Sequence, residues 1–123
     1  MTKSLRQEYE NILKVMDKYY EAQVKGDSNI LKPVCHKNAI MHGYAGETLL
    51  EGSMDNLFAF IDSTGAQEGL KARFDIITLE ETVANVHCCL EGKTNTYSDL
   101  FQLLKIDGEW KIISKIFHQY RFF

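Results

Sequence analysis

The stretch Tyr97-Ser98-Asp99-Leu100-Phe101-Gln102-Leu103-Leu104-Lys105-Ile106-Asp107-Gly108-Glu109-Trp110-Lys111-Ile112-Ile113-Ser114-Lys115-Ile116-Phe117-His118 alternates apolar and polar residues on either side of an Asp-Gly pair. Asp-Gly favours a two-residue turn with positive φ at both positions, so the spacing predicts a tight antiparallel hairpin. That loop sets Ile106 opposite Glu109, Lys105 opposite Trp110 and Tyr97 opposite His118. One face then carries Tyr97, Asp99, Phe101 and Leu103 with Trp110, Ile112, Ser114, Ile116 and His118. The other carries Ser98, Leu100, Gln102 and Leu104 with Lys111, Ile113, Lys115 and Phe117, and suits a surface or a sheet-to-sheet contact. A one-residue bulge would move Asp99 to the opposite face from its expected neighbours.

The first face gathers a phenol, a carboxylate and an imidazole at one end of an apolar surface. Asp99 and His118 form a diagonal pair, roughly 7–8 Å apart at the backbone and within reach of each other's side chains. A carboxylate beside an imidazole is one way to build a general acid or base near neutral pH. A structural Asp–His hydrogen bond at the end of a sheet is the other reading of the same pair.

Upstream, residues 72–79 and 83–90 repeat the strand period, whereas the N-terminal part has the period of a helix. Ser4 with Gln7 reads as a capping box, and Leu5, Tyr9, Ile12, Met16, Tyr19 and Gln23 step along one helical face. Gly26 ends that helix, Asp27 caps a short second one over residues 28–31, and Pro33 limits it. Residues 39–44 suggest a strand before Gly46. Ser53 then caps a third helix, with Met54, Leu57, Phe58 and Ile61 inward and Gly65 after its end. Helices first and a run of antiparallel strands afterwards is an α+β arrangement.

The chain has 123 residues, 45% of them hydrophobic and only one a Pro, which suits a single domain over residues 1–123 with its own core. A net charge of −3 argues against nucleic acid or an anionic membrane as partner, since both select basic surfaces. No run of 18 apolar residues is present, and Met1 to Glu10 lacks the apolar core of a signal peptide, so a cytoplasmic setting is expected. Cys35, Cys88 and Cys89 read as buried, inert thiols, with the adjacent pair on opposite faces of a strand. The four His show no ligand spacing, so no metal and no cofactor are expected.

The helix ending Lys25-Gly26-Asp27, the segment Cys35-His36-Lys37-Asn38-Ala39, and the closing Trp110-Lys111-Ile112-Ile113-Ser114-Lys115-Ile116-Phe117-His118 resemble the nuclear transport factor 2-like (SnoaL-like) superfamily. Within it the closing strand is most similar to the subfamily called putative lumazine-binding. The resemblance implies an α+β, cystatin-like cone: about three N-terminal helices against a strongly curved mixed or antiparallel sheet, with a pocket at the open end. It also implies a homodimer through the sheet face. Carried over from the ketosteroid isomerase branch, Tyr19 matches an oxyanion donor and Asp99 a second acid. The catalytic base falls at Gly43, which has no side chain, with His42 beside it. The dehydratase branch implies a His–Asp pair among tyrosines, for which Asp99, His118, Tyr97, Tyr19 and His42 are the available residues. His36 and His87 read as structural.

The expected function is therefore binding of a small, largely apolar or aromatic molecule inside the cone, by Tyr19, Tyr97, Asp99, His118, Trp110 and Phe58. The alternative is a cofactor-free lyase or isomerase with His118 or His42 as base, oriented by Asp99, and Tyr19 and Tyr97 as donors. A third reading is a non-catalytic dimerisation or interaction domain. The aromatic tail Tyr120-Arg121-Phe122-Phe123 is expected either to pack on a neighbour or to plug the pocket mouth.

Overall fold

Ser4 stands at the start of helix α1 (Leu5–Lys25) and its hydroxyl accepts the Gln7 N–H at 3.1 Å. The Gln7 side chain bonds Asn11 instead of reaching back, so only half of the expected capping box forms. The inward stripe is Glu8, Ile12, Val15, Met16, Tyr19, Ala22 and Gln23, whereas Leu5 and Tyr9 are exposed. Gly26 ends the helix at φ 67°, a left-handed conformation that glycine adopts without a Cβ penalty. Two short 3-10 turns follow, Ser28–Ile30 and Lys32–Val34.

The structure, a computed structural model, describes residues 4–121; Phe122 and Phe123 of the aromatic tail lie outside the described residues. Strands β1 (Cys35–Ala45), β2 (Thr48–Ser53), β3 (Lys71–Leu79), β4 (Val83–Glu91), β5 (Asn95–Ile106) and β6 (Glu109–Arg121) form one sheet in the order β2-β1-β6-β5-β4-β3. β1 and β6 run parallel and all other neighbours antiparallel, so the fold is α+β with a mixed sheet. The Asp107-Gly108 turn has φ of 50° and 80°, the geometry read from the sequence. β2 was not expected: its exposed Thr48-Leu49-Leu50-Glu51 lacks alternation, and only pairing with β1 makes it a strand. Helix α2 (Asp55–Thr64) follows and ends at Gly65; Ser53 accepts the Asp55 N–H, although Met54 holds the cap position.

Three register shifts, in β1–β6, β3–β4 and β5–β6, bend the sheet around α1. Its concave face contributes Val86, Cys88, Leu90, Phe101, Leu103 and Ile112 to one core with Ile12, Met16 and Tyr19 of α1. Asp62 of α2 accepts both the backbone N–H and the hydroxyl of Ser28, at 2.9 and 2.8 Å, fixing α2 beside the end of α1. Among the described residues no helix is long and apolar enough to cross a membrane.

The start of α1 is pinned by an ion pair. Glu8 Oε2 accepts from Lys105 Nζ at 2.7 Å and from Trp110 Nε1 at 3.2 Å. The Lys105 bond, followed by those of Asn11 and Trp110, outweighs burial and holds the Glu8 carboxyl below the usual range. A depressed carboxyl stabilises the fold above its unfolded value of about 4.3, and that contribution is lost as pH falls through the lower folded value. Glu8→Gln should lower the urea midpoint at pH 7 and flatten its decline between about pH 5 and 3. An acid limb unchanged from wild type would show that Glu8 does not carry this linkage.

Candidate functional site

The register expected from the turn holds from Ile106↔Glu109 to Leu103↔Ile112 and then breaks, because Gln102 pairs with Ser114. Ile113 is left unpaired as a bulge, and every residue of β6 beyond it changes face. Asp99 stays inside with Tyr97, Phe101 and Leu103, but it faces Phe117 across the ladder. Lys115, Phe117 and Gln119 turn inward, and Ser114, Ile116 and His118 turn outward, where Ser114 bonds Gln102 at 2.9 Å. The predicted Tyr97↔His118 pairing and the Asp99–His118 dyad therefore do not form. Lys115, assigned by the turn alone to the outer face, occupies the interior instead.

His42 is also corrected. Met41 and Ala45 of β1 point inward, so His42 lies in an outer hollow with His87 and His118, whose ring packs against Tyr120 at 4.4 Å. His87 bonds Ser98 at 2.9 Å in the same hollow, and His36 Nδ1 accepts the Asn38 N–H at 3.0 Å. Trp110 is committed to Glu8, which stands eleven residues before Tyr19 and about 16 Å away along the helix. Phe58 lies beneath Lys32, 5.6 Å from its ring centroid, while Phe60 of the same helix faces the interior. None of His42, His118, Trp110 and Phe58 lines the interior cavity, and Asp99, fully buried, lies behind its wall; of the expected ligand contacts Tyr19 and Tyr97 line it.

That cavity has a volume of about 560 Å³ and lies between α1, α2 and the inner face of β1, β2, β5 and β6. Met41, Leu57, Phe60 and Phe117 supply its apolar walls, and Tyr97 meets Phe60 edge-on at 6.1 Å. Tyr19 and Gln23 line the cavity as part of a chain of hydrogen-bonded side chains that continues behind the wall. Gln67 donates to Gln23 at 3.1 Å, Gln23 to the Tyr19 hydroxyl at 3.3 Å, and Tyr19 to Asp99 Oδ2 at 2.7 Å. Lys115 Nζ stands 3.6 Å from Asp99 Oδ1 and over the rings of Tyr19 and Phe117 at 5.5 and 4.7 Å.

Burial first and the Asp99 charge second push the Tyr19 phenol far up, so it remains a hydrogen-bond donor and does not act as a base. Asp99 is fully buried, and its Oδ1 has no hydrogen-bond partner among the described residues. Lys115 is 3% exposed and lines the cavity, with its amine beside the Asp99 carboxylate. Burial also raises the Cys88 thiol, opposite Asp99 on β4, and holds Cys35 up at about 12; both are therefore thiols at neutral pH. A Cβ on Gly43 would lie 2.2 Å from the Phe117 carbonyl and inside its ring's space. The position matched to the isomerase branch's base is thus filled by Phe117 and cannot take a carboxylate without moving β6.

The family model described as "Putative lumazine-binding" matches residues 7–118. The chain belongs to that family. It is 36% identical over 115 residues to the aldolase FrzH of a Cladobotryum species, covering 92% of each chain. The crystal structure of an NTF2-like protein of unknown function from Shewanella baltica OS155 superposes with a TM-score of 0.89 at 30% identity, covering 97% of this chain and 98% of that one. A cystatin-like protein from Nostoc punctiforme PCC 73102 shares the fold at a TM-score of 0.70 and 13% identity, covering 98% and 96%. The NTF2-like, cystatin-like architecture expected from the sequence is the one present.

Sequence reasoning missed Lys115. The signal was the Ile112-Ile113 doublet, which interrupts strict alternation in a strand otherwise patterned with period two. Tyr19→Phe removes the one side-chain hydrogen bond to Asp99 among the described residues and leaves that carboxylate with the Lys115 ion pair. It should cost about 1.5–3 kcal/mol, the usual worth of a hydrogen bond to a charged group. Urea unfolding checks this; a loss below about 0.5 kcal/mol would mean that Asp99 is satisfied another way.

Proposed function

We propose that the cavity binds a small, largely apolar or aromatic carbonyl compound and acts on it as a lyase of the aldol type, or as an isomerase by the same proton chemistry. The observation that carries this reading is the cationic amine of Lys115 in the wall of an otherwise apolar cavity. Apolar walls select a hydrocarbon body, and one buried cation selects an oxygen on which negative charge develops during enolisation or carbon–carbon cleavage. Such a step moves protons and one electron pair, so it needs no redox group. The 36% identity to a protein named an aldolase favours the lyase over simple binding.

The outer face supports a second copy of this chain as partner. Ile40, Tyr44, Leu49, Leu100, Ile116 and Tyr120 are exposed there, a contiguous apolar surface of the kind that dimers cover. The free thiols at Cys35, Cys88 and Cys89 favour a reducing, cytoplasmic setting.

4-Phenyl-2-butanone and 4-hydroxy-4-phenyl-2-butanone are suitable probes. Either should raise the melting temperature, with about 2.7 kcal/mol of stabilisation at a hundredfold excess over Kd. The second should release benzaldehyde, a release that Lys115→Met abolishes and His118→Ala leaves intact. Binding and turnover that depend on His118 and not on Lys115 would contradict this reading. For the assembly, Ile116→Lys should convert a dimer to a monomer in sedimentation equilibrium; a wild-type monomer would refute the sheet-face partner.

A further inference from the structure

Asp99 Oδ1 is a buried carboxylate oxygen without a hydrogen-bond donor among the described residues, and Lys115 Nζ is 3.6 Å away. Buried polar atoms are nearly always satisfied, so an orphan beside an amine at a cavity wall calls for a chemical reason. At 3.6 Å the two charges attract each other without a hydrogen bond, so the cost of desolvating both is only partly offset. Here the other carboxylate oxygen, Oδ2, already takes the Tyr19 proton at 2.7 Å, and Tyr19 is held in turn by Gln23. Oδ1 is thereby aimed at the amine and free to take a proton from it.

We infer that Lys115 is a covalent nucleophile which condenses with the substrate carbonyl to form a Schiff base, with Asp99 as its proton acceptor; this rests on the carbonyl reading above. In the first step a proton passes from the Lys115 ammonium to Asp99 Oδ1, leaving a neutral amine and a carboxylic acid. The nitrogen lone pair then forms a bond to the carbonyl carbon, and the carbonyl π pair moves to oxygen. A proton shifts from nitrogen to that oxygen, giving a neutral carbinolamine. Asp99 returns its proton to the hydroxyl, the C–O bond breaks, and water leaves as the nitrogen lone pair forms the C=N bond. The balance is one ketone or aldehyde and one ammonium giving one iminium and one water, with Asp99 restored as carboxylate. Lys115 touches the reacting atoms and is a catalytic residue. Asp99, which carries the proton to and from the reacting atoms, is catalytic too, and Tyr19, which fixes its other oxygen, is a positioning residue.

The rest of the site suits an iminium. Its charge replaces that of the ammonium beside Asp99 and over the Tyr19 and Phe117 rings, so the cation–π contacts already present serve the intermediate.

The test is reductive trapping of the intact protein with sodium cyanoborohydride and 4-phenyl-2-butanone at millimolar concentration, followed by peptide mapping. The expected result is one adduct per chain, heavier by the mass of the ketone less one oxygen, on the peptide carrying Lys115. The exposed Lys18 and Lys25 serve as internal controls for random reaction. Lys115→Arg keeps a cation beside Asp99 but cannot form an imine, so it should bind the ketone by thermal shift and give no adduct. Asp99→Asn should slow trapping at Lys115 about a hundredfold or more at pH 7, with recovery as the pH is raised and solvent takes the proton. The wild-type map needs no variant to fold. Thermal-shift binding with adducts spread over surface lysines, or with none, overturns the Schiff base and leaves the carbonyl reading standing. Neither binding nor an adduct overturns both.

Discussion

Ile113 has no partner on β5, and because strand side chains alternate, that single unpaired residue decides which half of β6 faces the interior. Without it, Ser114, Ile116 and His118 would occupy the cone, and Lys115, Phe117 and Gln119 would face outward. With it, the apolar wall from Phe117, the amine of Lys115 and the amide of Gln119 enter one cavity together. The same choice exposes Ile116 beside Leu100 and creates the apolar outer face. A bulge also increases local twist, which helps a sheet of this length wrap α1 instead of lying flat against it.

The interior that results is electrostatically demanding. A lone buried ammonium or carboxylate is costly in a low-dielectric core, so Lys115 and Asp99 each require the other. Removing one partner of such a pair typically costs about 3–5 kcal/mol. Tyr19 reduces the burden by donating to Asp99, and the aromatic faces of Tyr19 and Phe117 solvate the amine. The opposite end of the same helix is held by a second buried acid, Glu8, with Lys105 and Trp110. These two acid–cation pairs fix α1 against the sheet at both ends, so the cavity between α1 and α2 can stay open without loosening the core.

Most of the architecture was legible in the sequence because the signals were local. Ser4, Gly26, Gly65 and Asp107-Gly108 each mark a boundary through their own backbone preferences, and the change from helical to strand period separates the two parts of the chain. Tyr19, Tyr97 and Asp99 were readable as inward-facing from alternation and helical phase alone. The loss came where a non-local choice intervened. Turn geometry propagates a register only until a bulge, and Ile113 breaks it eight residues before the end of the described strand. Beyond it, His118 and Lys115 exchange places. β2 was missed for a related reason, since its exposed residues carry no pattern of their own and only β1 gives them a ladder. Trp110 and Phe58 were misplaced because aromatic character alone does not say which end of a core a ring occupies.

Proton NMR of the β5–β6 ladder tests the central claim most directly. Cross-strand Hα and HN contacts should pair Asp99 with Phe117 and Ser98 with His118, with a break in the pattern at Ile113. The Lys115 side chain should also show contacts to the Tyr19 ring. A continuous ladder that pairs Asp99 with Ile116 and Tyr97 with His118 would place Lys115 outside the cone and contradict the account.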